Sequence, residues 1–160
     1  MNLYDEFFLL VRRLNELEIR YAVVGGIALA FHGKARFTRD LDLLVRHEDF
    51  DPLAMALSRL GYEETAEPWV LPDTPLTLHR FLKVDGEDEL MVDILVAADA
   101  DHHRVIGNAD LADSEAGPVP IATRIDLIRM KRCRNSAQDR VDISALEEND
   151  KTGENSTDRE

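Results

Sequence analysis

A single cysteine, Cys133, stands in the whole chain, so no intrachain disulfide framework can form and a zinc site built on several thiolates is excluded. No apolar run approaches the roughly 18 residues needed to span a bilayer. The N-terminus lacks a basic segment ahead of its apolar residues and carries Asp5 and Glu6 instead, so it reads as an amphipathic helix rather than a secretory signal. A cytoplasmic location and no membrane partner are the resulting expectations. Basic residues are outnumbered, 19 Lys and Arg against 32 Asp and Glu, for a net charge of −13. That balance argues against broad, nonspecific coating of nucleic acid, because phosphates would be repelled. There is no internal repeat. A chain of 160 residues fits one domain and leaves little room for a second full core.

What is present is an ordinary globular mixture, 44% hydrophobic and 32% charged. The spacing of Phe7, Leu10, Val11 and Leu14 predicts a first helix from about Tyr4 to Leu17. Ile19–Val24 is β-branched and apolar, as a buried strand would be. Gly25-Gly26 ends it, and a short helix follows, closed by Gly33. The stretch Asp40–Val45 reads as a second strand. Asp49 or Asp51 could cap the next helix, whose apolar positions Leu53, Leu57 and Leu60 stop at Gly61. Strands at 76–84 and 90–97 flank the turn Asp85-Gly86-Glu87-Asp88, which has the Asp-Gly hairpin signal with extra residues that suggest a longer loop. Residues 99–120 read as irregular. Thr123-x-x-Asp126 resembles a capping box opening a helix to about Arg134, and a last helix should span about Ala137 to Leu146. Residues 147–160 are polar and almost free of apolar side chains, so a disordered acidic tail is expected after a domain of residues 1–146. Together these elements describe an α+β (α/β) domain with a mixed sheet flanked by helices.

Three aspartates carry the chemistry. Asp40 and Asp42 lie two apart on a strand and therefore share a face. They repel unless a cation lies between them, and their hard oxygens suit Mg²⁺ or Mn²⁺. Alone, the pair reads more readily as a solvated strand face. Asp93 alters the weighing, being the one acid in the apolar run 91–97, where an unpaired carboxylate is costly to bury. If the two strands are neighbours, the three acids form a cluster able to hold two divalent ions. Gly25-Gly26, at a strand–helix junction, would let a phosphate approach the backbone. Six basic residues fall between Thr123 and Arg140 against only Asp126 and Asp139, a basic island that could equally be a solvated helix face.

The block from Val23 to Val45, with Gly25-Gly26 followed by Arg36, Thr38, Asp40 and Asp42, resembles the signature of the nucleotidyltransferase superfamily with its polymerase-β-like fold. Its R-x-T-x-D-x-D form is most similar to the AbiEii-type enzymes of abortive-infection and toxin–antitoxin systems. The resemblance implies Asp40, Asp42 and Asp93 as catalytic and metal-binding residues for Mg²⁺ or Mn²⁺. Gly25, Gly26, Arg36, Thr38 and Lys131 become nucleotide-binding, with Asp139 and Asp142 in support of Lys131. It implies an NTP substrate, transfer of a nucleoside monophosphate to an RNA or protein hydroxyl, and a cognate toxin or antitoxin as a partner. The chain departs from the family in being short and in having Gly-Gly where Gly-Ser is common. A nucleotidyltransferase-fold subunit acting only through protein contact, or a nuclease using the same acids, would also fit. His102-His103 beside Asp99 and Asp101 suggests a solvated loop rather than a metal site. His32, His79 and Cys133 have no spaced partner and read as structural.

Overall fold

A computed structural model describes residues 1–34, 38–134 and 136–154. Helix α1 (Leu3–Glu16) begins where the Asn2 side chain accepts hydrogen bonds from the Tyr4 and Asp5 amides, and it buries Phe7, Leu10, Val11 and Leu14 along one stripe. Strand β1 (Tyr21–Val24) runs directly into α2 (Gly25–Phe31), and β2 (Asp40–Arg46) returns antiparallel to β1. Helix α3 (His47–Arg59) then leads to the short strands β3 (Glu63–Glu64) and β4 (Trp69–Val70). A long hairpin follows, β5 (Leu76–Asp85) with β6 (Asp88–Ala97), then α4 (Ala100–Asn108), β7 (Asp110–Ala112) and β8 (Val119–Ile121). The last described elements are the packed pair α5 (Arg124–Arg134) and α6 (Ala137–Glu154).

The eight strands among the described residues form one mixed sheet in the order β3-β5-β6-β2-β1-β8-β7, with β4 on β5. At its centre β2 and β6 are parallel, and the other neighbours of each are antiparallel. Leu41, Leu43 and Val45 alternate away from Asp40 and Asp42 and are essentially buried. Helices α1 and α3 both pack on β2. On the opposite face Asp40 and Asp42 stay partly exposed, while Leu44 is buried.

Several elements differ from the sequence reading. Helix α3 starts at His47, so neither Asp49 nor Asp51 is its cap; Asp49 lies in the first turn and accepts from Arg20 at 3.2 Å. The region after Asp99 is not irregular. Asp99 caps α4 by accepting from the His102 amide at 3.2 Å, and two strands follow. The hairpin turn holds only Gly86 and Glu87, since Asp85 pairs with Asp88. Gly86 at φ +63° supplies the positive φ that a tight turn needs at its first central position. Helix α6 continues past Leu146 to Glu154, and residues 155–160 lie outside those described.

Candidate active site

The local register builds the site. Arg80, Asp93, Asp42 and Val24 stand in one row across β5, β6, β2 and β1. Asp40 lies two residues earlier on β2, so its side chain shares the face of Asp42. Val24 ends its strand and Gly25 opens α2 beside that row. A cavity of about 280 Å³ lies there, bringing together Gly25, Thr38, Asp40, Asp42, Asp93 and Lys131, with Leu71, Leu76, Leu127 and Met130 as its apolar walls. Of the residues singled out from sequence, Gly26 does not line this cavity. Arg36 lies outside the described residues.

The two glycines have a steric role that their sequence position does not show. Gly25 has φ +70°, and a Cβ there would fall 2.2 Å from Oδ2 of Asp42. A Cβ on Gly26 would fall 2.8 Å from both Cβ and Oγ1 of Thr38. Both positions must lack a side chain so that Asp42 and Thr38 can close against the start of α2. Thr38 is in turn tied to β2, its hydroxyl donating to the Asp40 carbonyl at 3.3 Å.

Asp93 is buried and takes a two-pronged hydrogen bond from Arg80, Nε to Oδ1 at 2.8 Å and one terminal nitrogen to Oδ2 at 2.9 Å. The cost of burying this carboxylate is met by a charge-assisted fork on the neighbouring strand. The hydrogen bond to Asp93, chiefly, holds the guanidinium even more firmly protonated than usual, and Asp40 and Asp42 add to the effect. Arg80 also lies 5.4 Å from the ring centre of Trp69 on β4. Sequence reasoning passed over Arg80. The signal was there: with a two-residue turn at Gly86-Glu87, counting back along the hairpin puts Arg80 opposite Asp93.

Lys131 is buried on α5, its ammonium 3.0 Å from an Asp142 oxygen and 3.9 Å from Asp139. Gln138 donates to the second Asp142 oxygen at 2.9 Å, and the Ser136 hydroxyl donates to Asp139 at 2.6 Å. The three-residue spacing of Asp139 and Asp142 places both on the side of α6 that meets α5. The paired histidines are held apart: His102 Nδ1 lies 2.8 Å from Asp99, and His103 Nε2 lies 3.0 Å from the Ala97 carbonyl. His32 bonds the Ala122 carbonyl at 2.9 Å, and His79 bonds Glu64 at 2.7 Å while stacking on Phe50. Cys133 is exposed.

Asp40 and Asp42 bring hard oxygen donors to the cavity, the type that Mg²⁺ and Mn²⁺ accept. Mg²⁺ is commonly held by one or two carboxylates together with substrate phosphates and water, and this pair fits that requirement. Both oxygens of Asp93 are engaged by Arg80, and among the described residues no three His, Cys, Asp or Glu side chains form a metal-binding group.

Residues 7–76, under half of the chain, match the model of the aminoglycoside-2''-adenylyltransferase family. No curated protein sequence matches. Among solved structures, a Thermotoga maritima protein assigned as a nucleotidyltransferase superposes with a TM-score of 0.55 at 11% identity, covering 99% of this chain and 97% of that one. The antibiotic-resistance factor ANT(2'')-Ia superposes with a TM-score of 0.53 at 16% identity over 98% of both chains. The same factor in complex with adenylyl-2''-tobramycin gives 0.52 at 17% identity, over 86% of this chain and 83% of the other. The family so matched and these structural neighbours are nucleotidyltransferases, and the mixed sheet with its flanking helices is the nucleotidyltransferase fold.

Proposed function

We propose that this chain is a metal-dependent nucleotidyltransferase that moves a nucleoside monophosphate from an NTP to an acceptor hydroxyl. The observation that carries the reading is the convergence of Asp40, Asp42 and Asp93 with Gly25, Thr38 and Lys131 on one cavity. Asp40 and Asp42 would hold a divalent cation, which when bound neutralises phosphate charge. Gly25 and Gly26 leave the backbone at the start of α2 open to a phosphate. Thr38, which lines the cavity, contacts the nucleotide. The Lys131 ammonium, anchored on Asp142, keeps further N–H donors for a phosphate oxygen. Asp93 stands opposite Asp42 and takes the proton of the acceptor hydroxyl as that oxygen bonds to the α-phosphorus and pyrophosphate leaves.

The acceptor is an RNA or protein hydroxyl, as the AbiEii-like block 36–42 suggests, and the setting is a cytoplasmic toxin–antitoxin or phage-defence system. No helix among the described residues is long and apolar enough to cross a membrane. A second acceptor class, the hydroxyl of an aminoglycoside, is favoured by the family match over residues 7–76. Calorimetry of NTP binding with and without Mg²⁺, repeated on Asp42→Ala, tests the site; binding indifferent to that change removes it. Incubation with each labelled NTP and with RNA, lysate protein or tobramycin then separates the acceptors. A fold acting only through protein contact would label none of them.

A further inference from the structure

Three carboxylates line the cavity, yet they are not equivalent. Asp40 and Asp42 share β2, while Asp93 on β6 stands between Asp42 on one neighbouring strand and Arg80 on the other. Directly opposed like charges on neighbouring strands repel, so Asp93 and Asp42 need a counter-charge to stand side by side. Arg80 provides it with a planar fork that occupies both oxygens at 2.8 and 2.9 Å. A fork on both oxygens also fixes the plane of the carboxylate, which a single contact would not. A carboxylate has about four lone-pair directions, so two remain beside the fork; the guanidinium charge against both oxygens repels a cation there but not a neutral hydroxyl donating its proton. The guanidinium is itself braced against Trp69 and is partly exposed where it lines the cavity.

We propose that Arg80 is a positioning residue that keeps Asp93 out of the metal-binding set and reserves it as the proton acceptor, leaving Asp40 and Asp42 as the metal pair. The inference rests on the nucleotidyltransferase reading for its catalytic half, but not for its metal half. Removing Arg80 frees Asp93 to join Asp40 and Asp42 around a cation, so Arg80→Ala should bind the metal more tightly while reacting more slowly.

Mn²⁺ alone, titrated into the whole protein and followed by electron paramagnetic resonance, reads the first effect without any turnover. Arg80→Ala should lower the Mn²⁺ dissociation constant by about tenfold, because an added carboxylate raises the ligand charge. Asp93→Asn placed in the same background should cancel that gain. Arg80→Gln, which retains a neutral donor and most of the packing, carries the same expectation and serves if the alanine variant does not fold. In turnover, Arg80→Ala should lower kcat by about a hundredfold, the scale of a misplaced reacting group, with the NTP KM unchanged. Arg80→Lys should not restore it, since a point charge cannot grip both oxygens. Mn²⁺ binding that is unchanged or weaker in both neutral variants overturns the proposal, as does a gain that survives Asp93→Asn. If the wild-type chain transfers nothing, the nucleotidyltransferase reading fails while the Mn²⁺ titration still decides the placement of Asp93.

Discussion

Replacing Lys131 with methionine should destabilise the fold well before any question of catalysis arises. Its ammonium is a cation buried beside Asp142 and Asp139, whose side chains are 3% and 0% exposed. Removing one partner of a buried ion pair leaves an uncompensated charge and costs about 3–5 kcal/mol. Gln138 still donates to Asp142 and Ser136 to Asp139, so the lower end of that range, about 3 kcal/mol, is the expected loss. For a chain of this length that corresponds to a fall in Tm of about 6–12 °C. The assay is thermal unfolding followed by circular dichroism. Asp142→Asn is measured alone and combined with Lys131→Met, so that the double variant loses less than the sum of the singles. A fall smaller than about 2 °C, or losses that simply add, would mean that Lys131 is not held as described. It would also weaken the case that α6 anchors it for a phosphate.

Gly25→Ala should lose nucleotide binding as well as about 1–3 kcal/mol of stability, because it combines positive φ with a Cβ set against the Asp42 carboxylate; calorimetry beside urea unfolding separates the two effects. The Tyr21 hydroxyl is buried without a hydrogen-bond partner among the described residues, so Tyr21→Phe should stabilise by about 1 kcal/mol in urea titrations. Burial pushes the phenols of Tyr21 and Tyr62 far above their ordinary value of 10.0, with the bond to Glu6 adding to the effect at Tyr62. A raised folded pKa means that this stability is intact below pH 10.0 and declines as pH rises above it. Tyr21→Phe should therefore flatten the alkaline limb of a stability–pH curve, and an unchanged slope would contradict the burial. Asp99→Ala should cost about 1 kcal/mol by removing the cap of α4, while Asp99→Asn should retain most of it. Burial alone would raise the Asp99 carboxyl, but hydrogen bonds from His102 outweigh it and hold it below the model-compound value of 3.8. The stability it supplies is thus present above pH 3.8 and lost as pH falls further, which acid unfolding of the alanine variant would no longer show.

Local pattern was enough for the elements that carry the site. The period of Phe7, Leu10, Val11 and Leu14, the apolar strands and the Gly-Gly break all act within a few residues, and α1, β1, α2, β2 and the hairpin strands stand close to where that pattern puts them. Alternation along β2 likewise placed Asp40 and Asp42 on one face, because the side-chain period of a strand is two. Long-range pairing is what the chain does not spell out. That β2 and β6 are parallel neighbours, with Asp42 opposite Asp93, depends on a crossover through α3 and the hairpin. The partner of Asp93 depends on the two-residue turn at Gly86-Glu87, and a loop one residue longer would have turned Arg80 to the other face. The need for glycine at positions 25 and 26 likewise comes from Asp42 and Thr38, side chains distant in sequence that close on the start of α2 only when the sheet is assembled. The acids were therefore legible as residue types. That two of them share a strand face while the third is gripped by an arginine is a property of register, which is set by turns and packing across the whole sheet.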